Sequence, residues 1–132
     1  MAYIGFVGYS SSKFNEQEAI KIIDDIFKDL NEKDIIVSGG TSLGIPKLVY
    51  EKAKKLNMKT IGIMCKKGFE YDVFPVDQLI VTGVNWGDES EEFLSSIEVL
   101  YKIGGGNQSI EEAKKARKMG IDVHEFNLNE IK

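Results

Sequence analysis

Apolar positions along the chain fall into six short runs, separated by stretches in which they recur at helical spacing. Tyr3 to Val7 is rich in strand formers and is broken by Gly8-Tyr9-Ser10-Ser11-Ser12, so it predicts a first strand and its loop. Asn15-x-x-Glu18 has the form of a capping box, and Ala19, Ile23, Ile26, Phe27 and Leu30 then predict a helix with one buried face, running through Leu30. Asp34 to Ser38 is a second strand. Pro46 suits the first turn of a second helix, whose stripe is Leu48, Val49, Ala53 and Leu56 and whose stop is Asn57. Thr60 to Cys65 is a third strand, and Lys66 to Val76 lacks any period and predicts a long, functional or mobile loop. Gln78 to Thr82 is a fourth strand. Asp88-x-x-Glu91 forms a second capping box that opens a short helix through Ser96, and Val99 to Ile103 is a fifth strand. Ser109-x-x-Glu112 is a third box, with Ile110, Ala113, Ala116 and Met119 facing inward, Gly120 ending the helix, and Ile121 to Phe126 as the last strand.

Short apolar strands alternating with helices indicate parallel β–α–β units with right-handed crossovers. The fold class is α/β: a single Rossmann-like three-layer domain over residues 1–132, with a mostly parallel sheet and helices on both faces. In such sheets the ligand lies beyond the carboxyl ends of the strands, where strand order reverses. A central first strand puts that crevice between the loops after strands one and four. These loops carry Gly8, Tyr9, Ser10, Ser11, Ser12 and Lys13 on one side, and Asn85, Trp86, Asp88 and Glu89 on the other.

Two glycine-rich strand-to-helix turns flank the same edge: Ser38-Gly39-Gly40-Thr41-Ser42-Leu43-Gly44 and Gly104-Gly105-Gly106-Asn107-Gln108-Ser109. Glycine lets backbone N–H groups approach an anion closely, and the first turn of the next helix adds unpaired donors and the positive end of its dipole. A nucleotide-type ligand follows. Gly5-x-x-Gly8 lacks the spacing of a dinucleotide fingerprint, and Gly39-x-x-x-x-Gly44 continues as Ile45-Pro46, without the Lys-Ser/Thr of a phosphate loop that hydrolyses ATP.

Composition narrows the partners. With 42% hydrophobic residues the chain can bury a real core. A net charge of −4, from 17 Lys plus Arg against 21 Asp plus Glu, offers no global attraction to nucleic acid or to an anionic membrane, so any anion site must be local. The single cysteine, Cys65, closes an apolar run and is expected to be a buried, inert thiol in a reducing cytoplasm. Met1 to Val7 lacks a signal-like charge pattern and no segment is long and apolar enough to span a bilayer, so a soluble, unprocessed, cytoplasmic protein is expected. His124 is the only histidine and no Cys/His cluster exists, so neither a metal site nor a required cofactor is expected.

Taken in order and spacing, the glycine turns resemble those of the nucleotide-binding superfamily of the Lonely Guy cytokinin-activating phosphoribohydrolases. These are also known as lysine decarboxylase-like proteins, and the DNA-processing protein A fold is a more distant likeness. Ser38-Gly39-Gly40-Thr41-Ser42-Leu43-Gly44-Ile45 is similar to that family's G-G-G-x-x-G-[LI]-M turn, and Gly8-Tyr9-Ser10-Ser11-Ser12 to its C-G-S-S loop. Gly104 to Glu112 is similar to its P-G-G-x-G-T-x-x-E motif, with Gly105, Gly106, Ser109 and Glu112 in equivalent places. The resemblance implies a nucleotide-shaped site, a homodimer, and a contact from Glu112 to a ribose hydroxyl. It also implies a catalytic arginine, but Glu89 stands at that place and no arginine occurs before Arg117.

Gly105, Gly106, Asn107 and Ser109 are therefore expected at a phosphate, with Gly39, Gly40, Thr41 and Gly44 also in contact with the ligand. Gly8, Ser10, Ser11 and Lys13 supply further donors, and Tyr9 and Trp86 can stack on a base. A carboxylate near an anomeric carbon can act in glycosidic cleavage, which makes Asp88, Glu89 and Glu112 the candidate catalytic groups. The expected function is sensing, carrying or sequestering a nucleotide or nucleotide-derived metabolite. The alternatives are an N-glycosidase or phosphoribohydrolase acting on a nucleoside monophosphate, and an assembly module whose glycine turns are structural.

Overall fold

A computed structural model describes residues 1–131. Six strands, β1 (Tyr3–Gly8), β2 (Ile35–Ser38), β3 (Thr60–Met64), β4 (Gln78–Val81), β5 (Val99–Ile103) and β6 (Asp122–Phe126), form one sheet in the order β4-β3-β2-β1-β5-β6. Every pairing is parallel, with Ile4 beside Ile36 on one flank of β1 and beside Val99 on the other. The helices are α1 (Glu16–Phe27), α2 (Gly44–Lys55), α3 (Ser90–Ser95) and α4 (Asn107–Lys118).

The strand period of two sends neighbouring residues to opposite faces, and both faces are apolar because both are covered. Phe6 and Ile36 pack beneath α1 and α2 with Ile23, Val49 and Tyr50, whereas Val37, Ile63 and Leu100 pack beneath α3 and α4 with Phe93, Leu94, Ala113 and Ala116. The three-layer α/β architecture expected from the sequence is thus the one observed, with a wholly parallel sheet. Strand order reverses between β1 and β5, not between β1 and β4. β4 is an edge strand, and the segment after it crosses back over the sheet to reach β5.

Local departures have local causes. α1 begins as expected, with the Asn15 side chain accepting from the Glu18 N–H, but ends at Phe27, and Lys28 to Leu30 close as a turn. In α2 the buried stripe is Ile45, Val49, Tyr50 and Ala53, while Leu56 is exposed. Tyr50 is inside because its hydroxyl finds partners: it donates to the Ile61 carbonyl at 2.8 Å and accepts from the Gly40 N–H at 3.1 Å. Asn57, at φ 58°, and Gly120, at φ 80°, do stop their helices.

The second and third capping boxes do not form. Asp88 instead accepts from the N–H groups of Val84 and Asn85, closing the turn ahead of α3. α4 starts at Asn107, so Ser109 lies inside its first turn, and Ser109, Glu112, Ala113 and Ala116 face inward while Ile110 and Met119 are exposed. The Lys66–Val76 segment contains a 3₁₀ turn (Lys66–Glu70) and is fastened to the loop after β2 by Ser42 N–H to Asp72 and Phe74 N–H to Gly40. Among the described residues, no helix is long and apolar enough to cross a membrane.

Candidate functional site

The reversal of strand order leaves the carboxyl ends of β1 and β5 leading to opposite sides of the sheet, and a cleft opens between them. Its inner hollow is about 300 Å³, bounded by the ends of β1 and β2, the start of α4, and Trp86 and Glu89 from the crossing segment. An outer hollow of about 220 Å³ adjoins it, sharing Ser10, Thr41, Trp86 and Gln108.

One wall is the start of α4. Gly106 is the N-cap, no side chain caps the helix, and no acidic residue lies in its first turn. The first internal bond is from the Ile110 N–H to Gly106. Among the described residues nothing engages the N–H groups of Asn107, Gln108 and Ser109, and all three residues line the inner hollow. Such a terminus presents several donors and a partial positive charge to the cleft. A Cβ at Gly106 would meet no atom within 4 Å, so this position faces open space.

Two carboxylates adjoin that wall, Glu112 from α4 itself and Glu89 from the crossing segment. Glu89 and Glu112 are each only 7% exposed. Glu89 accepts from the Gly87 N–H at 3.0 Å and from the Gln108 side-chain amide at 3.1 Å, and Glu112 accepts from the Ser90 hydroxyl at 2.8 Å. Burial, reinforced by the Glu89 charge, pushes the Glu112 carboxyl up to about 6, against the pull of Ser90 and Gln108. Among the described residues no Lys, Arg or His lines either hollow. An anion would therefore be held by backbone dipoles and hydroxyls.

Of the residues singled out in the sequence, Gly8, Tyr9, Ser10, Gly39, Thr41, Trp86, Glu89, Gly106, Asn107, Ser109 and Glu112 line the inner hollow, and Ser11 the outer. Lys13, Gly40, Gly44, Asp88 and Gly105 lie outside both linings. Lys13 is exposed. Gly40 is held at φ 81° by the Tyr50 hydroxyl, and Gly105, at φ 108°, has no room for a side chain because Ser109 packs against it. At Gly44, φ is 54° and a Cβ would land on the backbone oxygens of Tyr9 and Ser10, while the neighbouring Ile45 N–H donates to Tyr9 at 2.8 Å. That glycine joins the loop after β1 to the start of α2. The Asp88 carboxyl is held down by its two backbone hydrogen bonds and belongs to its turn.

Stacking also divides differently from expectation. The Tyr9 ring packs on Phe14 at 6.0 Å, against the edge of the core, whereas Trp86 stands half-exposed at the mouth beside Tyr71 at 5.9 Å. Tyr71, Ser38 and Gln108 escaped the sequence reading. Gln108 stands where the similar motif has its third glycine, and its amide donates to Glu89. Cys65 is buried, as expected, and burial pushes its thiol up.

A molybdenum cofactor carrier protein from Chlamydomonas reinhardtii superposes with a TM-score of 0.77 at 25% identity, over 94% of this chain and 75% of that one. A second structure of that carrier gives 26% identity at the same TM-score. The molybdenum cofactor binding protein of Rippkaea orientalis shares the fold, with a TM-score of 0.78 at 23% identity over 94% of this chain and 75% of that one. No curated protein matches the chain in sequence. The expected likeness to the Lonely Guy and DNA-processing protein A superfamily holds at that level, because residues 1–131 match one of its family models: the chain belongs to the SLOG cluster4 family.

Proposed function

We propose that this protein binds a phosphorylated, nucleotide-derived small molecule in the β1–β5 cleft and carries or sequesters it in the cytoplasm. The observation that carries this reading is the uncapped start of α4, whose free N–H groups open onto a hollow of ligand size. In this reading the phosphate sits on Asn107 to Ser109 with the Ser10 and Ser12 hydroxyls beside it, and a planar ring extends past Gly39 and Thr41 beneath Trp86. The molybdenum cofactor, which the two structurally similar proteins carry or bind, is the first ligand to test.

The experiment is a thermal-shift screen of the purified protein against the molybdenum cofactor, nucleoside mono-, di- and triphosphates, and ADP-ribose. A ligand at about 100 times its Kd adds about 2.7 kcal/mol, a clear rise in melting temperature. No shift across the panel would remove the reading in favour of the assembly module.

One observation favours turnover as a second reading. Glu112 keeps its proton up to about pH 6 and so is suited to protonate a leaving base, with Glu89 close by to stabilise an oxocarbenium-like state. Release of free base from whichever nucleotide binds decides between carrier and hydrolase.

A further inference from the structure

The cleft has two lobes. The inner hollow, at about 300 Å³, lies at the small end of the range of ligand pockets, and the outer one adds about 220 Å³ beside it. They share Ser10, Thr41, Trp86 and Gln108, so the junction between them is itself lined by polar side chains and an aromatic ring.

Thr41 marks that junction. It is only 7% exposed, and among the described residues its hydroxyl makes no hydrogen bond. Every fully buried side-chain polar atom among these residues has a partner, so the unpartnered Thr41 oxygen is open, and the space it opens onto is the cleft whose two lobes it lines. Ser109, also buried and with an unengaged hydroxyl, repeats this pattern in the inner hollow alone. Buried hydroxyls without an internal partner are satisfied by whatever fills the cavity.

The outer hollow also carries unspent aromatic surface. Tyr71 and Trp86, both about half-exposed, meet at 52°, whereas the other aromatic pairs among the described residues lie within 30° of parallel. A tilted contact leaves ring faces free, and a planar heterocycle can cover them. Both rings stand on fastened backbone. The Asp72 carbonyl, next to Tyr71, accepts from the Ser42 N–H at 2.7 Å, and Trp86 sits in the turn that Asp88 closes, with the following Gly87 N–H donating to Glu89. Stacking on a wall already in place costs little ordering.

Resting on the reading of the cleft as the site of a phosphorylated heterocycle, we infer that the outer hollow is a second ring subsite and that the ligand is of dinucleotide type. Its phosphate is then a link and not an end: it joins the ring held in the inner hollow to a second ring-bearing unit that lies against Tyr71 and Trp86. Thr41 is placed to bond the linking group as it passes between the lobes. A mononucleotide would fill the inner lobe and leave Tyr71 uncovered.

The test is calorimetric titration with two matched series, AMP, ADP and diadenosine diphosphate, and GMP, GDP and diguanosine diphosphate. In each series the second compound adds a phosphate and the third adds a ring. In whichever series binds, the two-ring compound should bind at least about tenfold more tightly than both of its one-ring counterparts. That advantage should disappear in Tyr71→Ala and persist in Tyr71→Phe, which keeps the ring, with matched circular dichroism melts showing that both variants are folded. Equal affinity of the diphosphate and the two-ring compound, or an advantage that survives Tyr71→Ala, overturns the second ring subsite and leaves the cleft reading standing. If only the molybdenum cofactor binds, the same comparison is made with the cofactor extended by GMP through its phosphate: tighter binding of the extended form supports the inference, and equal or weaker binding overturns it. No binding of any of these compounds removes the cleft reading and the inference together.

Discussion

α1 and α4 are both twelve residues long and both start at the carboxyl edge of the sheet, yet their first turns are built in opposite ways. At α1 the chain completes its own helix: Asn15 accepts from the Glu18 N–H at 3.0 Å, and Glu16 and Glu18 face the positive end of the dipole. A cap of this type contributes about 1 kcal/mol, and first-turn acids add a few tenths each. At α4 a glycine stands in the capping position and the first turn is uncharged. α2 lies between these extremes, since Pro46 removes one donor and the Tyr9 carbonyl takes the N–H of Ile45. The chain caps α1 with a side chain and gives none to α2, α3 or α4, and of these three α4 begins at a glycine that lines the cleft. What is missing at α4 is therefore informative about ligand binding in a way that a well-made terminus is not.

The heaviest blow to this comparison is Gly44→Ala. It forces a Cβ into a backbone seam at positive φ and should cost roughly 3 kcal/mol, read by urea denaturation. A loss under ~0.5 kcal/mol would mean that α2 and the loop after β1 are not locked together. Next comes Gly106→Asp, which gives α4 the terminus that α1 has. Affinity for a phosphorylated ligand should fall about 100-fold while folding stability rises by a few tenths of a kcal/mol, because the new carboxylate caps the helix where the phosphate would sit. Stability and affinity falling together would refute the contrast between the two helices.

The buried carboxylates give a third test. Glu112 has its carboxyl raised from 4.5 to about 6, so between these values the folded state holds more proton than the unfolded one and stability falls as pH rises. The full effect is up to about 2 kcal/mol, present below pH ~4.5 and gone above pH ~6. Glu112→Gln should remove that part of the pH profile in melts of the apo protein, and an identical profile in the variant would assign the slope to other groups. The mildest change is Asn15→Ala, which opens α1. It should cost about 1 kcal/mol and a few degrees of melting temperature, with ligand affinity unchanged. A change in affinity would show that α1 also serves the cleft.

The sheet was legible because β-strands covered on both faces must be apolar throughout, and Ile35 to Val37 or Ile61 to Met64 can hardly be read otherwise. Strand order was not legible, since nothing in β4 itself says that it lies at an edge. The sequence accordingly places the crevice at the loops after β1 and β4, whereas the cleft lies between β1 and β5. α4 misled for a related reason. Its inward face turns toward a polar cleft, so Ser109 and Glu112 occupy positions where a core helix would show apolar residues, and Ile110 with Met119 imitated the missing stripe. Glycines were the hardest to apportion. Gly44 and Gly106 look alike in sequence, and only the surrounding backbone separates one that admits close packing from one that leaves open space.

A cleft lined by no cation among the described residues, in a chain of net charge −4, also bears on how fast it fills. Attraction at long range comes from net charge, whereas helix dipoles and hydroxyls act only within the first few ångströms. An anionic molecule therefore arrives against a weak repulsion, without electrostatic steering, and added salt should hasten capture slightly by screening that repulsion. Tight retention in such a site is a matter of slow escape, which suits a holder that receives its cargo by close contact with a donor more than one that gathers it from dilute solution.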